Sequence, residues 1–254
     1  MAKLFSDRNR PVHMGRFPTE ILKRSAHMPD LDGLAAWPDL SFQRPAGTAS
    51  LVPAMAEFQA MMDAVRDGPQ NQAPSEIPED RLERSRHLKS FAYFNDISMV
   101  GIAPLGQADR LAAARRNPQI DRLSHALQTR QTKTLAAGID VIMADLRESM
   151  AAKPQPMDHH TYALVFLVAY RRDPRPGEIG CDWVQDAQAE RAAVLGTETA
   201  TVLANYIRIL GYSARAHSAT TCDVDLARLA VKAGLAQVAG EQISHPWVGQ
   251  RFGL

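Results

Sequence analysis

The chain has 254 residues, 45% of them hydrophobic and 22% charged, an ordinary globular usage that excludes collagen-like, coiled-coil and disordered compositions. Lys plus Arg number 29 and Asp plus Glu 28, a formal net charge of +1, whereas a protein that lives by neutralising phosphates carries a larger or more concentrated excess. Two cysteines, Cys181 and Cys222, exclude a disulfide framework and cannot by themselves ligate an ordinary four-cysteine iron–sulfur cluster.

Residues 1–30 mix Lys3, Asp7, Arg8, Arg10, Arg16 and Lys23 with scattered apolar residues and lack the apolar core of a signal peptide. The longest apolar run, residues 162–170, falls far short of the roughly twenty residues a membrane helix needs. A soluble, cytoplasmic chain with neither a membrane nor a nucleic-acid partner is expected. Pro11, Pro18, Pro29, Pro38 and Pro45 forbid a long helix over residues 1–50, which read as an extended Pro-rich arm lying on a body. A short helix fits residues 19–24, where Phe17, Ile21 and Leu22 share a face.

Residues 51–254 read as one domain. From Val52 a helix is expected with Pro53 in its first turn, an apolar stripe of Met55, Phe58, Met62 and Val65, and an end at Asp67-Gly68-Pro69. After a polar linker at 69–79, residues 80–94 are helical by pattern, with Leu82, Leu88, Phe91 and Ala92 apolar and a solvated face of Glu83, Arg84, Arg86 and Lys89. Residues 98–103 read as a strand. A further helix is expected over 120–150, broken near Gly138. Residues 162–170 are apolar on both alternating faces, the pattern of a central strand buried on both sides. Residues 188–210 place Val194, Leu195, Thr199, Val202, Leu203, Tyr206, Ile207 and Leu210 at helical spacing, and Gly211 stands where a helix C-terminal glycine belongs. Residues 212–217 alternate in a strand-like way. Asp225 is placed to cap a last helix carrying Leu226, Leu229, Ala230 and Ala233 before Gly234. Helices alternating with short strands argue for a layered α/β or α+β domain.

Three groups of residues invite a chemical reading. Asp158-His159-His160 resembles a metal cluster, but adjacent residues at the start of a strand point in opposite directions, which favours a capping or hydrogen-bonding role. Cys222 precedes a helix, yet Asp223 and Asp225 raise its pKa, so a buried small hydrophobe is the expected state. His217, Ser218, Thr220 and Thr221, with Asp225, lie between a strand-like segment and a helix, the usual place of a ligand-binding turn. They are the candidate cofactor contacts, weighed against simple helix capping. The segment has no glycine to bring backbone against a pyrophosphate. No Gly-x-Ser-x-Gly, phosphate loop, His-Glu-x-x-His or Cys-x-x-Cys occurs.

Several segments together resemble the catabolic, non-respiratory reductive dehalogenases, corrinoid and iron–sulfur enzymes. They are Arg10-Pro-Val-His-Met-Gly15, Glu83-Arg-Ser-Arg-His-Leu-Lys89, Met99-Val-Gly-Ile102, Asp158-His-His-Thr-Tyr-Ala-Leu-Val-Phe-Leu-Val168, Pro174-Arg-Pro-Gly177, Thr197-Glu-Thr-Ala200, Ala204-Asn-Tyr-Ile-Arg208, Leu210-Gly-Tyr-Ser-Ala-Arg-Ala-His217 and the run from Asp223 to Gly234. The resemblance implies an α+β, nitroreductase-like layered sheet flanked by helices. It also implies an enzyme built of two such units in tandem plus a ferredoxin-like module, with the corrinoid and the catalytic residues in the second unit. This chain is similar to the first unit, which is degenerate in that family and packs on the second. No catalytic residue and no metal ligand is therefore carried over. Residues 247–254 resemble the stretch where the family enters a further strand, so the chain reads either as a piece of such an enzyme or as a free-standing relative. The expected role is a non-catalytic interaction domain that packs on a corrinoid-binding nitroreductase-like domain or on itself as a dimer. The alternative is a small oxidoreductase or carrier that binds cobalamin or flavin at a homodimer interface.

Overall fold

A computed structural model of the chain describes residues 14, 15, 22, 27–38, 49–129, 155–185 and 187–254. In chain order the elements are α1 (Val52–Ala64), α2 (Arg81–Phe94), β1 (Met99–Pro104), β2 (Arg110–Arg115), α3 (Gln119–Thr129), β3 (Tyr162–Ala169), α4 (Cys181–Val184), α5 (Ala187–Ile209), β4 (Cys222–Val224), α6 (Leu226–Lys232), β5 (Gln237–Ala239), β6 (Gln242–Ser244) and β7 (Phe252–Gly253). Helices and small antiparallel sheets are mixed, an α+β arrangement. The helix expected at 19–24 lies, apart from Leu22, outside the described residues, as does the 120–150 helix beyond Thr129 with its break at Gly138.

β3 is the central strand of the three-stranded sheet, with β1 on one side and β7 on the other. Its alternation separates two cores. Val165 and Leu167 join Met99, Ala103, Leu229, Leu235 and Phe252 on the face covered by α6. Phe166 and Val168 join Ala92, Val100, Ala192 and Leu203 on the face covered by α2 and α5. A strand apolar on both faces is what two covered faces require. Against the first core lie residues 27–38, where Leu31 is buried and Trp37 stacks on Phe252 with ring centroids 5.4 Å apart.

Local signals set the helix ends. The Asp80 carboxylate accepts from the Leu82 amide at the start of α2, and the Asp225 carboxylate from the Arg228 amide at the start of α6. α5 closes on Gly211, whose φ of +88° carries the paired bonds Tyr212 N–H to Ile207 O and Gly211 N–H to Arg208 O. A Cβ at Gly211 would also stand 2.6 Å from the Pro74 Cα.

α1 turns a different side inward from the one its apolar spacing predicts, and α5 does so in part, although Leu195, Leu203, Tyr206 and Ile207 pack on the core as expected. On α1 the buried residues are Val52, Ala56, Gln59, Ala60 and Asp63, while Phe58 is 41% exposed and Met55, Met62 and Val65 are only half-buried. On α5 the inward side is small: Ala192, Ala193, Gly196, Thr197, Thr199, Leu203 and Ala204 are buried, and Val202 is exposed. β3 and β7 approach this helix closely, with the Val168 Cγ2 3.6 Å from where a Gly196 Cβ would stand. Larger residues are thereby displaced to the flanks. Tyr206 does pack, stacked on Phe91 at 6.3 Å, but Leu210 lies past the helix end and is half-buried.

Residues 212–217 form no strand. Their backbone groups bond elsewhere: the Ala214 carbonyl accepts from Arg208, and Ala216 exchanges bonds with Arg66, donating its N–H to the Arg66 carbonyl at 3.0 Å. With those groups engaged, no ladder is left for them to join. The nearby strand is β4, three residues paired with β2.

One contact tests how tightly the layers are pressed. Gly101, in the middle of β1, sits where an added Cβ would be 2.7 Å from the Ala233 carbonyl oxygen and 2.9 Å from the Ala233 Cβ. Gly101→Ala is expected to lower stability by about 1–3 kcal/mol through this overpacking, read from urea unfolding. An unchanged midpoint would mean that the end of α6 backs away freely.

Candidate functional site

The inward side of α1 and the loop before β4 meet in one continuous polar site. Its dry half is built on Asp63, one helical turn beyond Gln59. Asp63 is 3% exposed and Gln59 fully buried. The Asp63 Oδ1 accepts from Gln59 Nε2 at 3.1 Å and from Ser218 Oγ at 2.7 Å; Oδ2 accepts from Asn117 Nδ2 at 2.8 Å and from Thr220 Oγ1 at 2.5 Å. Four donors thus converge on one carboxylate. Among the described residues no cationic side chain forms an ion pair with it.

The donors are themselves tied down. Gln59 Nε2 also donates to Thr197 Oγ1 on α5 at 2.8 Å. The Thr221 amide donates to Ser218 Oγ, and Thr221 Oγ1 accepts from the Asn117 amide at 3.0 Å. Asn117 Oδ1 in turn accepts from the Gln119 amide at the start of α3. The network thus joins α1, α5, the start of α3 and the 218–221 turn. Its one loose end is Gln59 Oε1, buried without a hydrogen-bond partner.

The ionic half begins one turn further along the chain. Arg66 Nη1 donates to Asp223 Oδ2 at 2.8 Å. Arg215, with a side chain 5% exposed, donates to Asp67 Oδ2 through Nε and Nη2 and to Asp223 Oδ2 through Nη1. It also bonds the Gln155 carbonyl. Arg208 is buried and donates to the Arg66 and Ala214 carbonyls, capping the chain where it leaves α1. Burial pushes the Arg208 pKa down, with Asp67 opposing.

His217 lies among these charges. Its Nδ1 accepts from the Asp223 amide at 3.3 Å and faces Arg66 Nη1 at 3.4 Å, which places the lone pair there and the proton on Nε2. Burial, then Arg66, push its pKa down to about 3; Asp223 opposes, while Arg215 and His160 add to the depression. The ring is neutral, so its 3.6 Å separation from the Asp223 carboxylate is not an ion pair. For Asp223, burial alone would raise the pKa, but the Arg66 hydrogen bond and the charges of Arg66 and Arg215 hold it below the ordinary value.

The residues singled out in the sequence are thus brought together, but not by helix capping. Ser218, Thr220 and Thr221 are 2–3% exposed with hydroxyls engaged by Asp63 and Asn117, and the capping role belongs to Asp225 alone. His160 bonds Ser213 Oγ at 2.8 Å; its ring meets His159 edge-on at 4.6 Å, because residues 158 and 159 form a turn before the strand begins. Burial and the neighbouring His159, Arg215 and Arg110 lower the His160 pKa, against Asp67. Among the described residues no group of three or more His, Cys, Asp or Glu could hold a metal ion. Cys222 is 1% exposed, and burial pushes its thiol up to about 11, the Asp223 charge adding to the rise. Gln59, Asp63, Arg66, Asn117, Thr197 and Arg208 escaped the sequence reading. The one available signal was the polar spacing Gln59, Asp63, Arg66 along a helix otherwise rich in apolar residues.

Solved structures place this geometry in context. The chain is similar to the catabolic reductive dehalogenase NpRdhA, at 29% identity and a TM-score of 0.68. It is similar at 31% identity and the same TM-score to a reductive dehalogenase whose structure suggests a mechanism for B12-dependent dehalogenation. NpRdhA in complex with 3-bromo-4-hydroxybenzoic acid gives 30% and 0.66. The likeness covers 98% of this chain. This chain spans 29% of theirs. No family model and no curated relative matches the sequence. Among the described residues no helix is long and apolar enough to cross a membrane.

Two outcomes follow from the site. Asp63→Asn turns an amide donor toward donors and is expected to cost about 3 kcal/mol in urea unfolding; a loss below about 0.5 kcal/mol would remove Asp63 from the centre of the network. The second concerns acid. Between pH 6.5 and about 3 the unfolded chain binds a proton at His217 that the folded chain refuses, so stability is lost as the pH is lowered across that window. Asp223 adds a loss lower down, because its depressed pKa contributes stability above the ordinary 3.8 that disappears as pH falls through the folded value. His217→Gln keeps an acceptor for the Asp223 amide and is expected to reduce the slope of stability against pH between about 6 and 4 by about 1.4 kcal/mol per pH unit. An unaltered slope would mean that His217 is protonated in the fold.

Proposed function

We propose that this chain is a non-catalytic interaction module of the reductive-dehalogenase type: a nitroreductase-like unit, residues 51–254, carrying an extended arm, residues 1–50. It packs on a corrinoid-binding unit or on another copy of itself. The observation that carries this reading is the extent of the likeness, 98% of this chain against 29% of enzymes that dehalogenate. Among the described residues of this site, the polar groups named above already have partners. Asp63 is saturated, the hydroxyls of Ser218, Thr220 and Thr221 bond one another's neighbours, and His217 is neutral with its lone pair engaged. A cofactor touching that turn would have to displace bonds that hold α1 in place. Electron delivery to cobalt in this kind of chemistry runs through clusters, and two cysteines forty-one positions apart do not supply one.

A visible absorption spectrum tests the reading. Full-length chain folded in the presence of hydroxocobalamin, and separately of a flavin, is expected to be colourless after desalting. Stoichiometric retention of either chromophore would overturn it in favour of a small oxidoreductase or carrier, with His217, Ser218, Thr220 and Thr221 as the first residues to substitute.

A further inference from the structure

Arg208, in the last turn of α5, is 5% exposed. Its Nη1 donates to the Ala214 carbonyl at 2.9 Å and to the Arg66 carbonyl at 3.4 Å, which anchors one edge of the guanidinium. The other edge, Nε–H and Nη2–H, donates to nothing among the described residues, yet neither nitrogen is sealed from solvent. This is the side-on fork that fits the two oxygens of a carboxylate.

The carboxylates of the same cluster are committed elsewhere. Asp67 Oδ2 accepts from Arg215 Nε and Nη2 and from the Gln155 amide, and its Oδ1 accepts from the Gly68 amide. Asp223 Oδ2 accepts from Arg66 and Arg215. Arg66, Arg208 and Arg215 therefore meet only Asp67 and Asp223, and the positive charge left over belongs to the side chain with the unused fork. A buried cation without a counter-charge is destabilising, and burial pushes the Arg208 pKa down. Gly68 keeps the fork accessible. A Cβ there would stand 3.5 Å from Arg208 Nε and 3.6 Å from Nη2, so a larger side chain would lie across this edge. The φ of Gly68 is outside the left-handed region, so the turn itself does not require glycine. Gly68 is half-buried, on the solvent side of Arg208.

We propose that the Nε–Nη2 edge of Arg208, beside Gly68, is a binding site for a carboxylate monoanion, held by two parallel N–H···O bonds. A single negative charge neutralises the surplus of the cluster, whereas a doubly charged phosphate would exceed it and be repelled by Asp67. The anchored Nη1 means that little side-chain freedom is lost when the anion docks. The site is independent of the reading of the chain as an interaction module.

The Arg208 Nε–H signal in a nitrogen–proton correlation spectrum of the full chain, assigned through its side-chain carbons, reads the site directly. Titration with sodium acetate, against sodium chloride at matched ionic strength, is expected to shift that signal saturably with a Kd on the order of 1 mM. Gly68→Val is expected to raise the Kd at least about tenfold while leaving the circular-dichroism spectrum and the urea midpoint in place. The blocked peptide N-acetyl-Gly-Asp-Gly-amide is the second probe. Binding of both probes supports the site and points to a carboxylate side chain of a protein partner; binding of acetate alone supports it and points to a small free acid. An acetate response no larger than that of chloride overturns the proposal even without the variant, as does a saturable shift that Gly68→Val leaves unchanged.

Discussion

A single buried carboxylate sets the geometry of the polar half of this molecule. The buried Asp63 carboxylate, which among the described residues forms no ion pair with a cationic side chain, is tolerable in the interior only if both oxygens are met by donors. Those donors come from its own helix (Gln59), from the residue ahead of α3 (Asn117) and from the turn before β4 (Ser218 and Thr220). Each therefore has one workable position. α1 cannot rotate about its axis without withdrawing Gln59 and Asp63 together, and the 218–221 turn cannot shift without stripping hydroxyls from Asp63 and an acceptor from the Asn117 amide. Such networks are strong when complete and costly when broken.

The ionic cluster is the continuation of that constraint by other means. Once α1 is fixed, the turn just after it brings Arg66 and Asp67 to the loop that carries Arg215, His217 and Asp223. Three arginines meet two aspartates there, and the surplus cation, Arg208, is held by backbone carbonyls instead of a carboxylate. Partly buried pairs of this kind are poor evidence for stability in themselves. Their effect here is positional: they hold residues 212–217 as an irregular loop whose side chains face inward. A second strap comes from Arg115, which donates to the Ala219 carbonyl and to the Trp37 carbonyl, so the turn beside Asp63 and the segment 27–38 share one guanidinium.

Elements governed by local chemistry were legible in the sequence. The two-sided apolar run gave β3, Asp225 gave a helix start, and Gly211 gave a helix end, because each acts through its own neighbours. Whatever depended on distant partners was not. The face of α1 was misassigned because hydrophobic spacing assumes that polar residues look outward, and Gln59 and Asp63 look inward toward hydrogen-bond partners that lie up to 161 positions away. The strand expected at 212–217 failed for the same reason, since arginines on α5 and just beyond α1 claim its backbone. β4 and β7 are three and two residues long and carry no periodicity to read. At the site, Ser218, Thr220 and Thr221 were read as candidate cofactor contacts or helix caps; in the structure their hydroxyls bond Asp63 and Asn117, which carried no local signal.

The two sides of α1 are linked consequences of one choice. Turning Gln59 and Asp63 inward to complete the network leaves Phe58 and Met61 outside, where burying such side chains is worth roughly 25 cal/mol per Å² of apolar surface. In a monomer that surface stays hydrated and contributes nothing; against a partner it becomes a driving force already positioned by a rigid helix. The helix cannot relieve its exposure by rolling, because every degree of roll opens hydrogen bonds to a buried charge. Polar satisfaction of Gln59 and Asp63 inside thus fixes the apolar exposure of Phe58 and Met61 outside.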